Sequence, residues 1–415
     1  MNIVILCDTY YPHINPAANC IERYLPCLKK GNTITIICPA TILNKEAVIK
    51  DGVRVEFISC MWNDMRSFCR EKEEKGTVNG LSRLLYGLVR AWGVFLSFFA
   101  FPSRFSWYKK AYYRKLENIN KKQSIDVIIS ISDPVCAHIA SMKFKRKYKR
   151  VRWISYTTDP ISDNPTLYKN IIFKQIRKRR IRNLESQIYN LSDFSILTEE
   201  LFELAKTMCP ESKSKLCCFP YVLSPFPSSH LNNQPIIDKT GDTIILVYAG
   251  SLKKGIRTPE TLLDIIKRCS DNIQLWLFIA GDCGNIVNQY KSDNIIVNGI
   301  LPQDQYLSVI GEKADVLINI SNSFSLQAPS KMLELLSTGK PIINFSYKKD
   351  NFYHMIESYP LGLNIMQGDV YSYQQVEKFC KDNKGKRLTF EEVKQLFPHN
   401  VLENQTRILE SMLSV

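Results

Sequence analysis

No two cysteines in this 415-residue chain are spaced as a metal or redox motif. The 13 cysteines stand singly apart from adjacent Cys217 and Cys218, and there is no C-x-x-C pair and no Cys/His cluster at zinc spacing. Zinc modules and disulfide scaffolds are thereby excluded, and the thiols read as reduced core residues of a cytoplasmic protein. No repeat of solenoid period is present. The opening residues 1–7 are too short for a signal peptide, lack a basic lead-in and meet Asp8 at once, so they read as a first strand. No helix-turn-helix, RRM or zinc pattern supports a nucleic-acid partner. A clean membrane span of about 20 apolar residues is also missing. The nearest approach, residues 84–102 (LLYGLVRAWGVFLSFFAFP), is broken by Arg90.

Acidic residues are scarce in one part of the chain only. Residues 1–240 hold 37 Lys and Arg against 21 Asp and Glu, while residues 241–415 hold 18 against 19, which places the net charge of +15 in the first part. Seven basic residues fall within 143–152 and six within 174–182. A polyanionic partner follows for that part. Beside these runs, the aromatic stretch 84–102 and the segment WYKKAYYRK at 107–115 favour an interfacial element on an anionic membrane surface. A core helix of the first domain is the alternative.

What is present is a two-part α/β pattern. With 45% hydrophobic residues, the length suits two domains, each with its own core. Apolar runs at 3–7, 33–38, 126–131, 153–156 and 193–197 read as strands alternating with helical patterns, the last of them closing the first domain. Residues 220–240, with four prolines and three serines, read as a linker. A second series begins at 243–249, continues at 275–280 and 294–298, and reaches 316–320 and 342–345. The predicted organisation is a first domain over 1–220, a linker over 221–240, a second domain over 241–398 and a terminal helix from 399. Open α/β sheets bind ligands at the carboxyl ends of their strands.

The most informative stretch is Asn319–Phe345, NISNSFSLQAPSKMLELLSTGKPIINF. It predicts strand, loop, helix and strand, with Pro329 and Ser330 at the helix start and Gly339 past its end. Unpaired N–H groups at such a start favour an anion such as a diphosphate. Lys331 and Glu334, three apart, share a helix face; one suits a phosphate, the other a sugar hydroxyl. A turn at Gly250-Ser251 allows close backbone approach, and Lys254 and Arg257 follow where a phosphate would be held.

The pattern of Gln327, Pro329, Ser330, Lys331, Glu334, Gly339, Lys340, Pro341 and Ile342 resembles the donor-binding segment of GT-B glycosyltransferases of the family 4 type. The Asp8-Thr-x-x-Pro start, the Ser132-Asp133-Pro134 loop and the Asp159-Pro160-x-x-Asp163-Asn164 ending are similar to other loops of that family. The resemblance implies two doubly wound Rossmann-like domains facing across a cleft, with the terminal helix crossing back to the first. It implies retaining transfer of a hexose-type sugar from a nucleotide diphosphate-sugar, without a bound metal or other cofactor. Gly250, Ser251, Lys254, Arg257, Gln327, Ser330 and Lys331 would hold the donor, and Glu334 its ribose. His138 would position the donor sugar, Asp159 would orient the acceptor hydroxyl, and Asn15 and Asn19 would face the acceptor.

The chain departs from the family in three places. Leu326 stands where the first of two glutamates is usual, with Gln327 a stand-in. Pro16, Ala17 and Ala18 replace the glycines of the first loop, and Ser251 replaces an arginine. A non-catalytic subunit binding a sugar nucleotide or a partner enzyme is therefore the rival reading. By analogy with the membrane features, the acceptor would be a lipid-linked saccharide of a surface polysaccharide pathway, and the enzyme would sit on the inner face of the cell membrane.

Overall fold

Parallel strands buried on both faces appear in a sequence as unbroken apolar runs, and this chain folds around such runs. The structure is a computed structural model. It describes residues 1–8, 10–11, 16–40, 46–60, 87, 91–92, 101–102, 104–132, 135–159, 161–162, 174–226, 237, 241–323 and 330–414. The chain divides into two compact units, one of Met1–Pro220 with Glu403–Val415 and one of Tyr221–Leu402.

The first unit carries β1 (Asn2–Leu6), β2 (Thr33–Pro39), β3 (Val48–Lys50), β4 (Val53–Ile58), β5 (Val127–Ser132), β6 (Arg152–Thr157), β7 (Phe194–Leu197) and β8 (Leu216–Cys218). They form one sheet in the order β3-β4-β2-β1-β5-β6-β7-β8, parallel except for the β3–β4 pair. The strand series reverses direction between β1 and β5, so a crevice opens at their carboxyl ends. Residues 193–197 do not end this sheet as expected. After Pro210–Lys215 the short β8 adds one more strand, too brief for its periodicity to show.

Helices α1 (Pro16–Glu22), α2 (Leu25–Leu28), α3 (Tyr108–Lys122), α4 (Val135–Lys147), α5 (Lys174–Leu191) and α6 (Glu199–Met208) cover the sheet. Helix α3 corrects part of the interfacial reading. Tyr108, Tyr112 and Leu116 recur at helical spacing and lie in the core, and the Tyr112 hydroxyl donates to the Cys7 carbonyl. Lys109, Lys110, Lys121 and Lys122 face solvent, and Lys115 pairs with Glu56 at 3.1 Å. The stretch 84–102 lies outside the described residues except for Gly87, Ala91, Trp92, Phe101 and Pro102. Among the described residues no helix is long and apolar enough to cross a membrane.

The basic run at 143–152 is largely tied down. Lys145 donates to Asp193 at 2.6 Å, Lys147 pairs with Glu117 at 3.0 Å and Arg146 donates to Gln187 at 3.0 Å. Lys143 sits 4.3 Å from the Tyr113 ring centroid. Arg152 donates to the carbonyls of Met412 and Leu413 at 3.1 and 2.6 Å and so caps the terminal helix, Leu402–Ser414. A cation at a helix carboxyl end is favoured by the helix dipole.

The second unit has β9 (Ile244–Leu252), β10 (Ile273–Gly281), β11 (Ile295–Asn298), β12 (Val316–Ile320), β13 (Ile342–Ser346) and β14 (Gly362–Met366), with helices α7 (Glu260–Ile266), α8 (Gly284–Asn288), α9 (Gln303–Ser308) and α10 (Ser330–Ser337) between the first five. The sheet is wholly parallel in the order β11-β10-β9-β12-β13-β14, reversing between β9 and β12. Each face packs on its own apolar cluster. Leu246, Leu275 and Ile318 mark one, and Val247, Leu317 and Leu336 the other.

Polar residues inside these strands align in register. Asn319, Asn344 and Asn364 stand side by side on β12, β13 and β14. Asn319 Nδ2 donates to Asn344 Oδ1 at 2.7 Å, Asn344 Nδ2 to Asn364 Oδ1 at 2.8 Å, and Asn364 Nδ2 to the Tyr353 carbonyl at 2.8 Å. Asn344 is fully buried, so its amide must be satisfied within the ladder. Asn344→Ala should cost roughly 2–4 kcal/mol, because it leaves the Asn319 donor and the Asn364 acceptor without partners. Urea unfolding of the parent and the variant measures this.

Candidate functional site

The residues that gather functional groups in the second unit lie at the reversal point between β9 and β12. Ala249 and Gly250 lie in the second half of β9, which runs on through Gly250 and Ser251, where the sequence predicts a turn, to Leu252; α10 (Ser330–Ser337) is the helix that follows β12. Lys331, in the first turn of α10, donates from Nζ to the Ala249 carbonyl. Gly250 lies beside it: a Cβ there would meet Lys331 Nζ at an ordinary 3.8 Å and the Tyr248 hydroxyl at a tighter 3.2 Å.

Arg257 reaches the same place from the turn after β9. Its Nε and Nη2 donate to Asn322 Oδ1 at 3.2 and 2.9 Å, which ties that turn to the loop after β12. Burial pushes the Lys331 ammonium below the ordinary lysine value; the Glu334 carboxylate opposes that shift and the Arg257 guanidinium adds to it. Two cations so close, with one half-desolvated, form a site prepared for an anion.

Glu334, one turn along α10, accepts from the Tyr306 hydroxyl at 3.0 Å, and the Tyr306 ring lies 4.5 Å from Lys331 Nζ. Burial, with the neighbouring Glu334 charge, raises the Tyr306 phenol far above its usual value and keeps it a donor. Two more buried polar atoms make no hydrogen bond: Asn298 Nδ2 at the carboxyl end of β11, and Glu260 Oε2 at the start of α7 (Glu260–Ile266).

The structure thus brings Gly250, Arg257, Lys331 and Glu334 together. It does not bring Lys254 among them. That side chain is exposed, and its backbone N–H donates to Asp282 Oδ1 at 2.8 Å. Ser251 is exposed at the strand end, and its carbonyl accepts from Tyr248 at 3.4 Å. Ser330 opens α10, and Gln327 lies outside the described residues.

The first unit places its predicted residues differently. Asn19 is exposed on α1, and Asn15 lies outside the described residues. Asp159 follows β6 half-buried, and burial raises its carboxyl against the pull of the Thr158 hydroxyl. His138 is fully buried on α4. Its Nδ1 meets Ser130 Oγ at 2.7 Å and its Nε2 meets Thr157 Oγ1 at 3.2 Å, joining the helix to β5 and β6. Trp153 Nε1 also donates to Ser130 Oγ, at 2.8 Å. With both ring nitrogens engaged internally, His138 serves as an internal hydrogen-bonding hub. The ring expected to position the donor sugar is thus enclosed within the first unit.

Sequence reading missed three residues. Asn322 lies two residues past β12 and is findable by position. Tyr306, on α9 (Gln303–Ser308), and Glu185, on α5, gave no signal, because Glu334 for the one and Ile161 and Ser162 for the other are distant in sequence. Glu185 is fully buried and accepts from the N–H groups of Ile161 and Ser162 at 3.2 and 3.3 Å and from the Tyr189 hydroxyl at 3.2 Å. It thereby fixes the turn beyond Asp159. Among the described residues no group of three His, Cys, Asp or Glu side chains is placed to hold a metal ion.

The buried imidazole makes the fold sensitive to acid. Burial pushes His138 down to about 3 from an ordinary value of 6.5. The unfolded chain therefore takes up a proton that the folded chain refuses, and stability present above the ordinary value is lost as pH falls toward the folded one. Relative to His138→Asn, the parent should lose about 3 kcal/mol between about pH 7 and about pH 4.5, at 1.36 kcal/mol per pKa unit. Denaturant midpoints of both proteins across that range measure the difference.

Neither a protein-family model nor a curated protein sequence matches the chain. Solved structures do. The lipopolysaccharide outer core galactosyltransferase WaaB, in its apo form, is similar with a TM-score of 0.61 at 12% identity, over 99% of this chain and all of that one. Sucrose-phosphate synthase from Thermosynechococcus elongatus gives 0.62 at 13% identity, over 99% and 98% of the two chains. HepE from Anabaena, in complex with UDP and glucose, gives 0.59 at 12%, over 100% and 99%. With its two parallel-sheet α/β units, the chain has the GT-B fold of these glycosyltransferases.

Proposed function

We propose that this protein is a retaining glycosyltransferase that moves a hexose-type sugar from a nucleotide diphosphate-sugar to a lipid-linked saccharide acceptor in surface polysaccharide synthesis. The observation that carries the reading is the meeting of Arg257, Lys331 and Glu334 at the strand reversal of the second unit. There the two cations would bind the diphosphate and stabilise the charge that grows on it as the sugar leaves, the electrostatic effect that usually dominates such steps. Glu334 would take a ribose hydroxyl. These cations do the work without a bound metal in this reading. The similar fold of HepE, solved in complex with UDP and glucose, supports a nucleotide-sugar as the donor class. Acceptor contacts would come from the first unit, through Asp159, Asn15 and Asn19.

The membrane part of the reading rests on the basic first unit. Lys109, Lys110, Lys149, Arg150, Arg179 and Arg180 are exposed there. They would hold the enzyme on anionic lipid at the inner face of the cell membrane. A second reading, a non-catalytic binder of sugar nucleotides, is favoured by Leu326 in place of a glutamate and by the enclosed His138. Release of nucleotide from a sugar donor when acceptor is added separates the two.

Lys331→Ala should weaken nucleoside diphosphate binding at least ~10-fold, the scale of one charge-assisted hydrogen bond in a desolvated site. Because the Lys331 pKa is depressed, parent affinity should fall with rising pH before the ordinary lysine range is reached. Calorimetric titration with UDP, GDP and TDP tests both, and parent-like binding by the variant would place the diphosphate elsewhere. Binding to anionic vesicles should weaken as salt is raised, since the exposed cations are screened within about 10 Å at 0.1 M salt. Equal binding to neutral vesicles in sedimentation assays would remove the electrostatic membrane mode.

A further inference from the structure

A lysine and a glutamate three residues apart on one helix face ordinarily pair with each other. Lys331 and Glu334 form no ion pair; a third residue from another element stands in contact with both. Tyr306, on α9, sets its ring against the Lys331 ammonium at 4.5 Å and gives its hydroxyl to Glu334 Oε2 at 3.0 Å. Lys331 is drawn the other way, to the Ala249 carbonyl. The cation and the carboxylate are thus held apart on the same helix.

Separation has a chemical consequence. If the two side chains closed on each other, the ammonium would be partly neutralised and the carboxylate would lose an oxygen to it. Held apart, Lys331 keeps its charge for a phosphate. One Glu334 oxygen is fixed by Tyr306, leaving Oε1 as an acceptor for one hydroxyl. A carboxylate accepting from a neutral hydroxyl binds more strongly and more directionally than a neutral acceptor does.

We infer that Tyr306 is a positioning residue that keeps Glu334 off Lys331 and aims its free oxygen at a ribose hydroxyl, so that the site selects ribonucleoside over deoxyribonucleoside diphosphates. This rests on the donor-site reading above and adds to it the residue that sets nucleotide specificity. The phenol acts through Glu334 and touches no reacting atom. A purely structural tyrosine would influence stability or general affinity, but not the ratio between ribo- and deoxyribonucleotides.

The test is calorimetric binding of UDP, 2′-deoxy-UDP and 3′-deoxy-UDP to the full-length parent, to Tyr306→Phe and to Glu334→Gln. Phenylalanine keeps the ring on Lys331 and removes only the hydroxyl, while Glu334→Gln weakens the same link from its other end. The parent should prefer UDP over one of the deoxy forms by ~10-fold or more, the range for a hydrogen bond to a charged group. Both variants should reduce that preference below about 3-fold, with the thermal midpoint of Tyr306→Phe close to the parent's. A full parental preference in folded Tyr306→Phe overturns the inference. So does a parent that binds UDP and both deoxy forms equally, an outcome that leaves the diphosphate reading standing. A parent that binds none of UDP, GDP and TDP overturns the donor-site reading and the inference together.

Discussion

A cation held against a carbonyl of a parallel strand is the interaction around which the second unit's site is arranged. Lys331 bonds to the Ala249 carbonyl in the second half of β9, and that bond ties the first turn of α10 to the sheet where its strand order reverses. Arg257 and Asn322 join from the loops on either side of the reversal, and Tyr306 closes the remaining flank. Burying an ammonium is unfavourable unless hydrogen bonds and nearby negative charge offset the lost water. Here one carbonyl, one aromatic face and the Glu334 carboxylate share that role, and a neighbouring guanidinium opposes it. The balance leaves positive potential open to an anion.

The motif at 327–342 divides into two parts with different physical work. Its first half supplies the site, through Lys331 and Glu334. Its second half builds the frame. Gly339 has φ +71°, and a Cβ there would fall 1.9 Å from the Leu388 carbonyl, so only glycine fits. Lys340 is buried and donates to the Ala314 carbonyl at 2.5 Å. A charged residue of the motif is thus a structural clamp on the chain just before β12. Behind it, the Asn319–Asn344–Asn364 ladder holds β12, β13 and β14 in register.

In the first unit, much of the charge that dominates the sequence is spent on internal partners. Lys145, Arg146, Lys147 and Arg152 reach Asp193, Gln187, Glu117 and the carboxyl end of the terminal helix. Runs of basic residues on a linear chain look like one polyanion-binding face. Folding spreads them around the helices; of the run 143–152, Lys149 and Arg150 have no such partner among the described residues, and Lys143 has only the Tyr113 ring. The charge remaining for a surface is therefore carried jointly by α3, α5 and this turn.

By itself the sequence determined the alternation of strand and helix in two successive α/β series and the helix start at Ser330, because each depends on local periodicity, chain-breaking residues or capping chemistry. It also singled out Arg257, Lys331 and Glu334, whose charges sit at strand ends where the parallel fold puts its ligands. Tertiary structure alone decided which of these groups meet. Lys254 and Arg257 lie three residues apart, yet the turn at Gly255 sends one to solvent and the other to Asn322. His138 became internal because Ser130 and Thr157 arrive from two different strands to fill both of its nitrogens. Tyr306 and Glu185 act on partners about two dozen residues or more away, and no local pattern records such a pairing; it exists only once the strands between them are laid side by side.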